Sequence, residues 1–427
     1  MNKNIFKFDV LCFALALFAA QNAYSAANFN ITPSGTLPTT VAIGQTVSAV
    51  YIVTNQTPIT LNGYILQGLP ATVTQNTAGS NCGNPIHLVP RASCRLQLDI
   101  TAPVTSNFAI CKAESCTTAA VPLNIALSTA PRFAYVTQGY NAGVQVCTVN
   151  NSDGSLSACT DAGGNLSSIY PQGIVVDSAG THAYISAGFT NERTVTQCVI
   201  NQTNGTFTSC SSTTIIAPAG YQPYYGLLTL NSSSTLAYLV DYHDGDSNRV
   251  LACPINNGVI SATCTDTGAN QLTSDNVGIA LNSSNTTAYI GGYGNSYVTV
   301  CAVNGATFSN CAMKTGGGAI SFSEPAGVAL NPANTILYIA DNVSHNIFAC
   351  DTTPNVNSTF NNCFLTGGLP NNQPQPWSIT LNQAGTVAYI ADYNSIVYSC
   401  AILEDGTFST CTQNTGFPQP VNVALTY

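Results

Sequence analysis

Short apolar runs alternate with polar positions along nearly the whole chain. Val47-Ser48-Ala49-Val50-Tyr51-Ile52-Val53 and Cys94-Arg95-Leu96-Gln97-Leu98-Asp99-Ile100 put every second side chain on one face, the period of a half-buried strand. Clusters of Gly, Pro, Asn, Asp and Ser separate the runs, and no long stretch of helix formers interrupts them, so the pattern predicts an all-β protein. From residue 131 onward the runs repeat. Aligning Ala-Tyr-Ile and its variants places Tyr135, Tyr184, Tyr238, Tyr289, Tyr338 and Tyr389 in register, at steps of 49, 54, 51, 49 and 51 residues. A steady period of this length indicates a propeller or solenoid.

Each repeat carries four strand-like pieces. One unit reads Val328-Ala329-Leu330-Asn331, a turn at Pro332-Ala333-Asn334, Leu337-Tyr338-Ile339-Ala340-Asp341, Ile347-Phe348-Ala349-Cys350, and a short strand ending at Cys363. Four antiparallel strands per unit make a propeller blade. The first unit begins at Arg132-Phe133-Ala134-Tyr135 without an opening strand, and the last is followed by a spare one, Val421-Asn422-Val423-Ala424-Leu425. Joining the two completes one blade and leaves no open edge. The expectation is a six-bladed β-propeller over 131–427, its first blade completed by the C-terminal strand.

Cysteine spacing fits this frame. Cys147/Cys159, Cys198/Cys210, Cys253/Cys264, Cys301/Cys311, Cys350/Cys363 and Cys400/Cys411 each bracket a turn, as at Asp153-Gly154 and Asp405-Gly406. Folded as hairpins, these segments put each pair opposite one another on the third and fourth strands. In the chain-entropy picture, one bridge of this loop size is worth roughly 3 kcal/mol. The segment Pro325-Ala326-Gly327-Val328-Ala329-Leu330-Asn331 followed by Leu337-Tyr338-Ile339-Ala340-Asp341 resembles YVTN and NHL propeller repeats over 131–427. That resemblance implies the fold. It leaves activity open, because such families include lactonases, lyases and binding modules. The lactonases hold a metal with acidic residues in the channel, and the sequence has no such set in consistent register.

Residues 27–130 lack the period and read as an immunoglobulin-like β-sandwich. It resembles the sandwich domains found ahead of repeats in exported bacterial proteins, and its simplest bridges are Cys82–Cys94 and Cys111–Cys116. Residues 1–25 have the marks of a signal peptide: Lys3 and Lys7, an apolar run from Val10 to Ala20, and small residues around Ala23-Tyr24-Ser25-Ala26. The run is shorter than the roughly 20 residues needed to span a bilayer. Setting Cys12 aside leaves 16 of 17 cysteines, an even number suited to an exported disulfide framework. The protein is therefore expected in the periplasm or outside the cell, with no membrane span, as a monomer.

Composition narrows the function classes. Only 9 Lys and Arg stand against 18 Asp and Glu, for a net charge of −9, which argues against nucleic-acid binding. Zinc is disfavoured, since there is no Cys-x-x-Cys and the four histidines are unpaired at ligand spacing. No nucleophile elbow, phosphate loop or His-Glu-x-x-His occurs.

In a blade that runs in and out, the loops between strands two and three, and between strand four and the next blade, share one face. That face gathers Tyr170, Tyr221, Tyr224, Tyr225, Trp377 and Phe417, together with Asp241, His243, Asp341 and Asp392. It is the candidate surface for a protein or glycan, the aromatic rings stacking and the carboxylates meeting polar or basic groups. The repeated tyrosines are expected to pack between blades, and Asn231, Asn282, Asn331, Asn382 and Asp177 to close turns. Asp244, Asp246 and Asn248 match the first three oxygen ligands of a calcium loop, but Arg249 stands at the glycine position and Ile255 at the acidic one. Calcium is thus the single candidate cofactor, a solvated acidic loop being the alternative. Two functions remain: a disulfide-stabilised binding module, or a lactonase-like hydrolase or lyase with a channel metal.

Overall fold

The computed structural model describes residues 27–41, 46–128, 132–139, 143–188, 193–216, 225–241, 249–272, 276–354, 357–370 and 373–427. The candidate signal segment, Tyr221, Tyr224, His243 and the calcium-like residues Asp244, Asp246 and Asn248 lie outside them. The chain divides into two compact units. One comprises residues up to 37, 48–99 and 105–124, and the other 38–47, 100–104 and 125–427.

The first unit holds two four-stranded sheets. Phe29–Pro33, Val47–Asn55, Ser93–Ile100 and Val73–Asn76 form one, in that order; Ser115–Thr118, Ala109–Lys112, Leu61–Gln67 and Ile86–Leu88 form the other. Alternation decides which faces are buried: Ala49, Tyr51 and Val53 point inward, as do Leu96, Leu98 and Ile100. Edge-on aromatic pairs join the layers, Phe29 with Tyr64 at 4.9 Å and Tyr51 with Phe108 at 5.0 Å. Cys82–Cys94 and Cys111–Cys116 are both bonded.

The second unit is a six-bladed β-propeller. Its blades open with inner strands Pro420–Thr426, Pro171–Val176, Tyr225–Leu230, Asn276–Leu281, Pro325–Leu330 and Pro376–Leu381. The second strands are Phe133–Gln138, His182–Ala187, Leu236–Asp241, Thr287–Gly292, Ile336–Asp341 and Val387–Asp392, with further antiparallel strands outside them. Ring closure is explicit in the register. Ala134 lies opposite Leu425, Tyr135 opposite Ala424 and Val136 opposite Val423. Each inner strand also touches the inner strands of the two neighbouring blades, so the circle is continuous.

A separate apolar cluster fills each seam between blades. The in-register tyrosines sit in these seams. The hydroxyl of Tyr135 donates to Gly205 O at 2.6 Å, Tyr184 to Gly258 O at 3.1 Å, Tyr238 to Gly305 O at 2.7 Å and Tyr338 to Gly406 O at 3.2 Å. Each acceptor lies in the outer hairpin of the following blade. The tyrosines therefore latch neighbours together, and burial raises Tyr184 and Tyr338 to about 12.

All six propeller cysteine pairs are bonded within their own blades: Cys147–Cys159, Cys198–Cys210, Cys253–Cys264, Cys301–Cys311, Cys350–Cys363 and Cys400–Cys411. The expected placement, directly opposite on third and fourth strands, holds for Cys198 with Cys210 and for Cys350 with Cys363. The other four pairs also face one another, with Cα atoms 4.0–4.3 Å apart. Cys159 and Cys311 lie in the fourth strands Leu156–Asp161 and Thr307–Lys314, each next to a one-residue bulge. The ladder shifts at the bridge, and the added residues Ala158 and Asn310 take φ of 48° and 50°. Such a bulge lets bridges of different sequence spacing occupy one structural position.

Cys264 and Cys411 fall outside any strand, one residue before the short outer strands Thr265–Asp266 and Thr412–Thr415. The adjoining pairs Ala252–Thr265 and Ser399–Thr412 set these two cysteines opposite Cys253 and Cys400. Cys363 likewise begins its strand, Cys363–Leu365, where the repeat pattern places it at the end. Burial within the pairs is unequal, because the fourth strand is the outermost. Cys147, Cys253, Cys301 and Cys400 are buried, whereas Cys159 is exposed and Cys264 and Cys311 are half-buried; Cys411 is buried beside Phe408.

Candidate functional site

Two ends of the central channel differ in construction. At one end lie the turns from strand one to strand two. Asn331 closes its turn by accepting from the N–H groups of Thr335 and Ile336 at 2.8 and 3.0 Å. Asn231, Asn282 and Asn382 do the same in blades three, four and six. Asp177 replaces them in blade two, accepting from Thr181 N at 2.6 Å and lying 3.0 Å from His182 Nδ1. These side chains complete tight turns locally, and that role occupies them fully.

The left-handed position of each turn falls to Gly180, Ser234, Asn285, Asn334 and Gly385. From there Asn285 Oδ1 accepts from Ser232 N at 3.0 Å, and Asn334 Oδ1 accepts from Ser283 N at 2.9 Å. Neighbouring turns are thereby stitched into a polar rim. Inside the rim, the outer halves of all six inner strands wall a cavity of about 390 Å³. Ile174, Leu228, Ile279, Val328, Ile379 and Val423 form its deeper row, and Tyr427 stands at its edge. Not one of its lining residues is charged.

At the opposite end the described residues pack side chain against side chain. Residues at the second position of the inner strands converge there: Val277, Ala326, Trp377 and Val421 join Leu227 in one buried cluster. Trp377 is only 8 % exposed. Blade six faces blade three across the ring, where Gly226 holds the equivalent position. Tyr293 lies 5.4 Å from the indole and Tyr393 4.8 Å from it, edge-on, both half-buried. Sequence reading does not single out these tyrosines. Each immediately follows a second strand, so a register count one residue past the Asp position would find them.

The expected carboxylates are placed inward. Asp341 is fully buried; its carboxylate accepts from Ser323 N at 2.7 Å, Glu324 N at 3.1 Å and Ser344 N at 3.0 Å. Asp392 is also fully buried and accepts from Gln375 N and Asn394 N, both at 2.9 Å. Burial raises its pKa, with the backbone bonds, Tyr398 and His345 opposing. Both residues anchor the connection leading into the inner strand of their own blade. Asp241 and Tyr225 occupy the matching register positions in blade three. Tyr170 is half-buried with a φ of 47°, and Phe417 is buried. The structure thus brings Trp377 together with Tyr293 and Tyr393, while Asp341 and Asp392 sit in their own blades as backbone acceptors.

Beside Asp392, a second cavity of about 250 Å³ opens on the same face, lined by Ser344, His345, Leu365, Leu369, Gln373 and Pro374, among others. His345 Nδ1 lies 2.7 Å from Pro374 O. A carbonyl can only accept, so Nδ1 carries the proton. Ser344 Oγ is buried in this wall without a hydrogen-bond partner. Val343 and Leu365 stand about half exposed nearby, at 51% and 49%. Among the described residues, no three His, Cys, Asp or Glu converge to hold a metal, and no helix is long and apolar enough to cross a membrane.

Solved structures place the fold among β-propellers. The chain is similar to a propeller in the nidogen/laminin complex, with a TM-score of 0.51 and 11% identity over 69% of this chain and 98% of that one. It also resembles the periplasmic gluconolactonase of Pseudomonas aeruginosa, with a TM-score of 0.49 and 11% identity over 69% and 99% of the two chains. A putative 6-phosphogluconolactonase from Bacteroides fragilis gives 0.44 and 12% over 86% and 99%. At such identities the likeness concerns fold alone. No known protein family and no curated protein matches the sequence. The eight disulfides point to an oxidising compartment.

Proposed function

We propose that this is an exported binding module that recognises a protein or glycan through the propeller face formed by the strand-two-to-three loops. One observation carries the reading: Tyr293, Trp377 and Tyr393 cluster on that face, next to a small cavity and the exposed Val343 and Leu365. Aromatic rings on a rigid scaffold beside exposed apolar groups suit recognition. A lactonase would need converging carboxylates, and the cavity along the inner strands is lined by aliphatic, hydroxyl and amide side chains without a carboxylate. The fuller picture includes export through residues 1–25, an immunoglobulin-like first unit and a repeat of YVTN/NHL type. Calcium at Asp244, Asp246 and Asn248 belongs to it as an option that titration calorimetry decides.

Arrays of glycans and extracellular proteins, probed with the intact protein, test the reading. Tyr393→Ala and Leu365→Asp should each weaken a captured partner about tenfold or more, the loss of roughly 1.4 kcal/mol expected at an interface centre. Partners held equally well by both variants would move the recognition surface elsewhere.

A further inference from the structure

The cavity at the other end of the channel, framed by the strand-one-to-two turns, lies outside the face just described. We propose that it is a separate binding site for a small, uncharged, mainly apolar molecule. Its volume, about 390 Å³, falls within the range of roughly 300–1,000 Å³ typical of ligand pockets. Aliphatic side chains, Val176, Leu230, Leu281, Leu330 and Leu381, ring it near the mouth, interleaved with the polar Thr229, Thr380 and Asn422. Water against such a wall gains by being displaced.

No side chain of the lining carries a charge, and the phenol of Tyr427 is the one ionisable side chain among them. Burial raises the pKa of that phenol, and Gln383 N–H donates to it, so it is neutral at ordinary pH. An ion entering here would lose hydration without gaining a partner. The rim offers little spare polar capacity either, since Asn231 is spent on its own turn and Ser232 on Asn285. Shape completes the case. The Trp377 cluster seals the far end, and Leu227 belongs both to that seal and to the cavity floor. Among the described residues the cavity therefore opens on the turn side, where a ligand would enter.

The test uses the whole protein and two dyes of one skeleton. N-phenyl-1-naphthylamine is uncharged and brightens in apolar surroundings; 8-anilino-1-naphthalenesulfonate adds a sulfonate. The neutral dye should bind saturably at one site, and the anionic dye about tenfold more weakly or worse. Thr229→Trp fills the wall, and Ser178→Trp narrows the mouth from an exposed position that the fold tolerates. Each should weaken the neutral dye about tenfold or more while circular dichroism stays unchanged. Ile216→Ser removes a surface group that is 63% exposed and should leave binding as it was. The proposal falls if the wild-type protein gives no saturable brightening, if Ser178→Trp binds as well as wild type, or if the sulfonated dye binds equally. None of these outcomes bears on partners held at the opposite face.

Discussion

The channel's two ends are made from the same six repeats yet behave as opposites. Where the turns lie, the repeat is nearly uniform: four Asn and one Asp close them, and the adjoining wall is leucine after leucine. At the sealed end, one register position carries Gln172, Gly226, Val277, Ala326, Trp377 and Val421. Uniformity produces a regular opening, because closely similar local hydrogen bonds give blades two to six the same turn. Diversity lets one bulky residue fill the axis while its opposite number is a glycine. Repetition thus builds the frame, and departures from it decide which end is shut.

Four substitutions would break or sharpen that contrast. Trp377→Ala should have the largest effect, a loss of about 3–5 kcal/mol in urea unfolding, and should let solvent through the sealed end. Asn331→Ala orphans two N–H donors and should cost about 1–2 kcal/mol, without altering the seal. Asn285→Gly keeps the left-handed turn but removes the stitch to Ser232, for about 0.5–1 kcal/mol in the same assay. Asp392→Asn is the most delicate. The folded protein raises this carboxyl's pKa, so the folded state holds its proton more tightly than the unfolded chain does. That contribution is fully present below the ordinary value of 3.8 and is lost as pH rises through the raised one. The variant should flatten this fall in stability, measured by unfolding between pH 3 and 7 (about the carboxylate range). A variant that parallels wild type would rule the assignment out.

The ring, its closing strand and all eight cysteine pairs were legible because each follows from spacing along the chain. Two cysteines flanking a turn have few places to go, and a spare inner strand has one vacant slot. Spacing reveals the partners of Cys159, Cys264, Cys311 and Cys411, but not the bulges and early strand ends beside them. A bulge or an early strand end shifts a residue along the ladder without changing what it can reach. The channel residues were harder. Trp377 could be placed at the inner-strand mouth, but its burial comes from side chains of other blades, Leu227 and Tyr293 among them, which periodicity does not weigh. Asp341 and Asp392 look like surface acids in sequence, yet N–H groups in the preceding loops draw them inside. Tyr293 and Tyr393 were passed over because alignment followed the buried tyrosine of each second strand. The acidic stretch around Asp244 lies outside the described residues.

Thr137 and Asn422 meet across 285 positions of chain. Blades two to six can each assemble from neighbouring hairpins, whereas blade one must wait for a strand separated from it by every other repeat. Such a distant pairing is slow to find, because loop closure costs entropy before any contact rewards it. Until it forms, the edge of Phe133–Gln138 stays bare and the circle has a gap. The six local cysteine bridges can therefore secure individual blades early, but only the last pairing turns a row of them into a closed vessel.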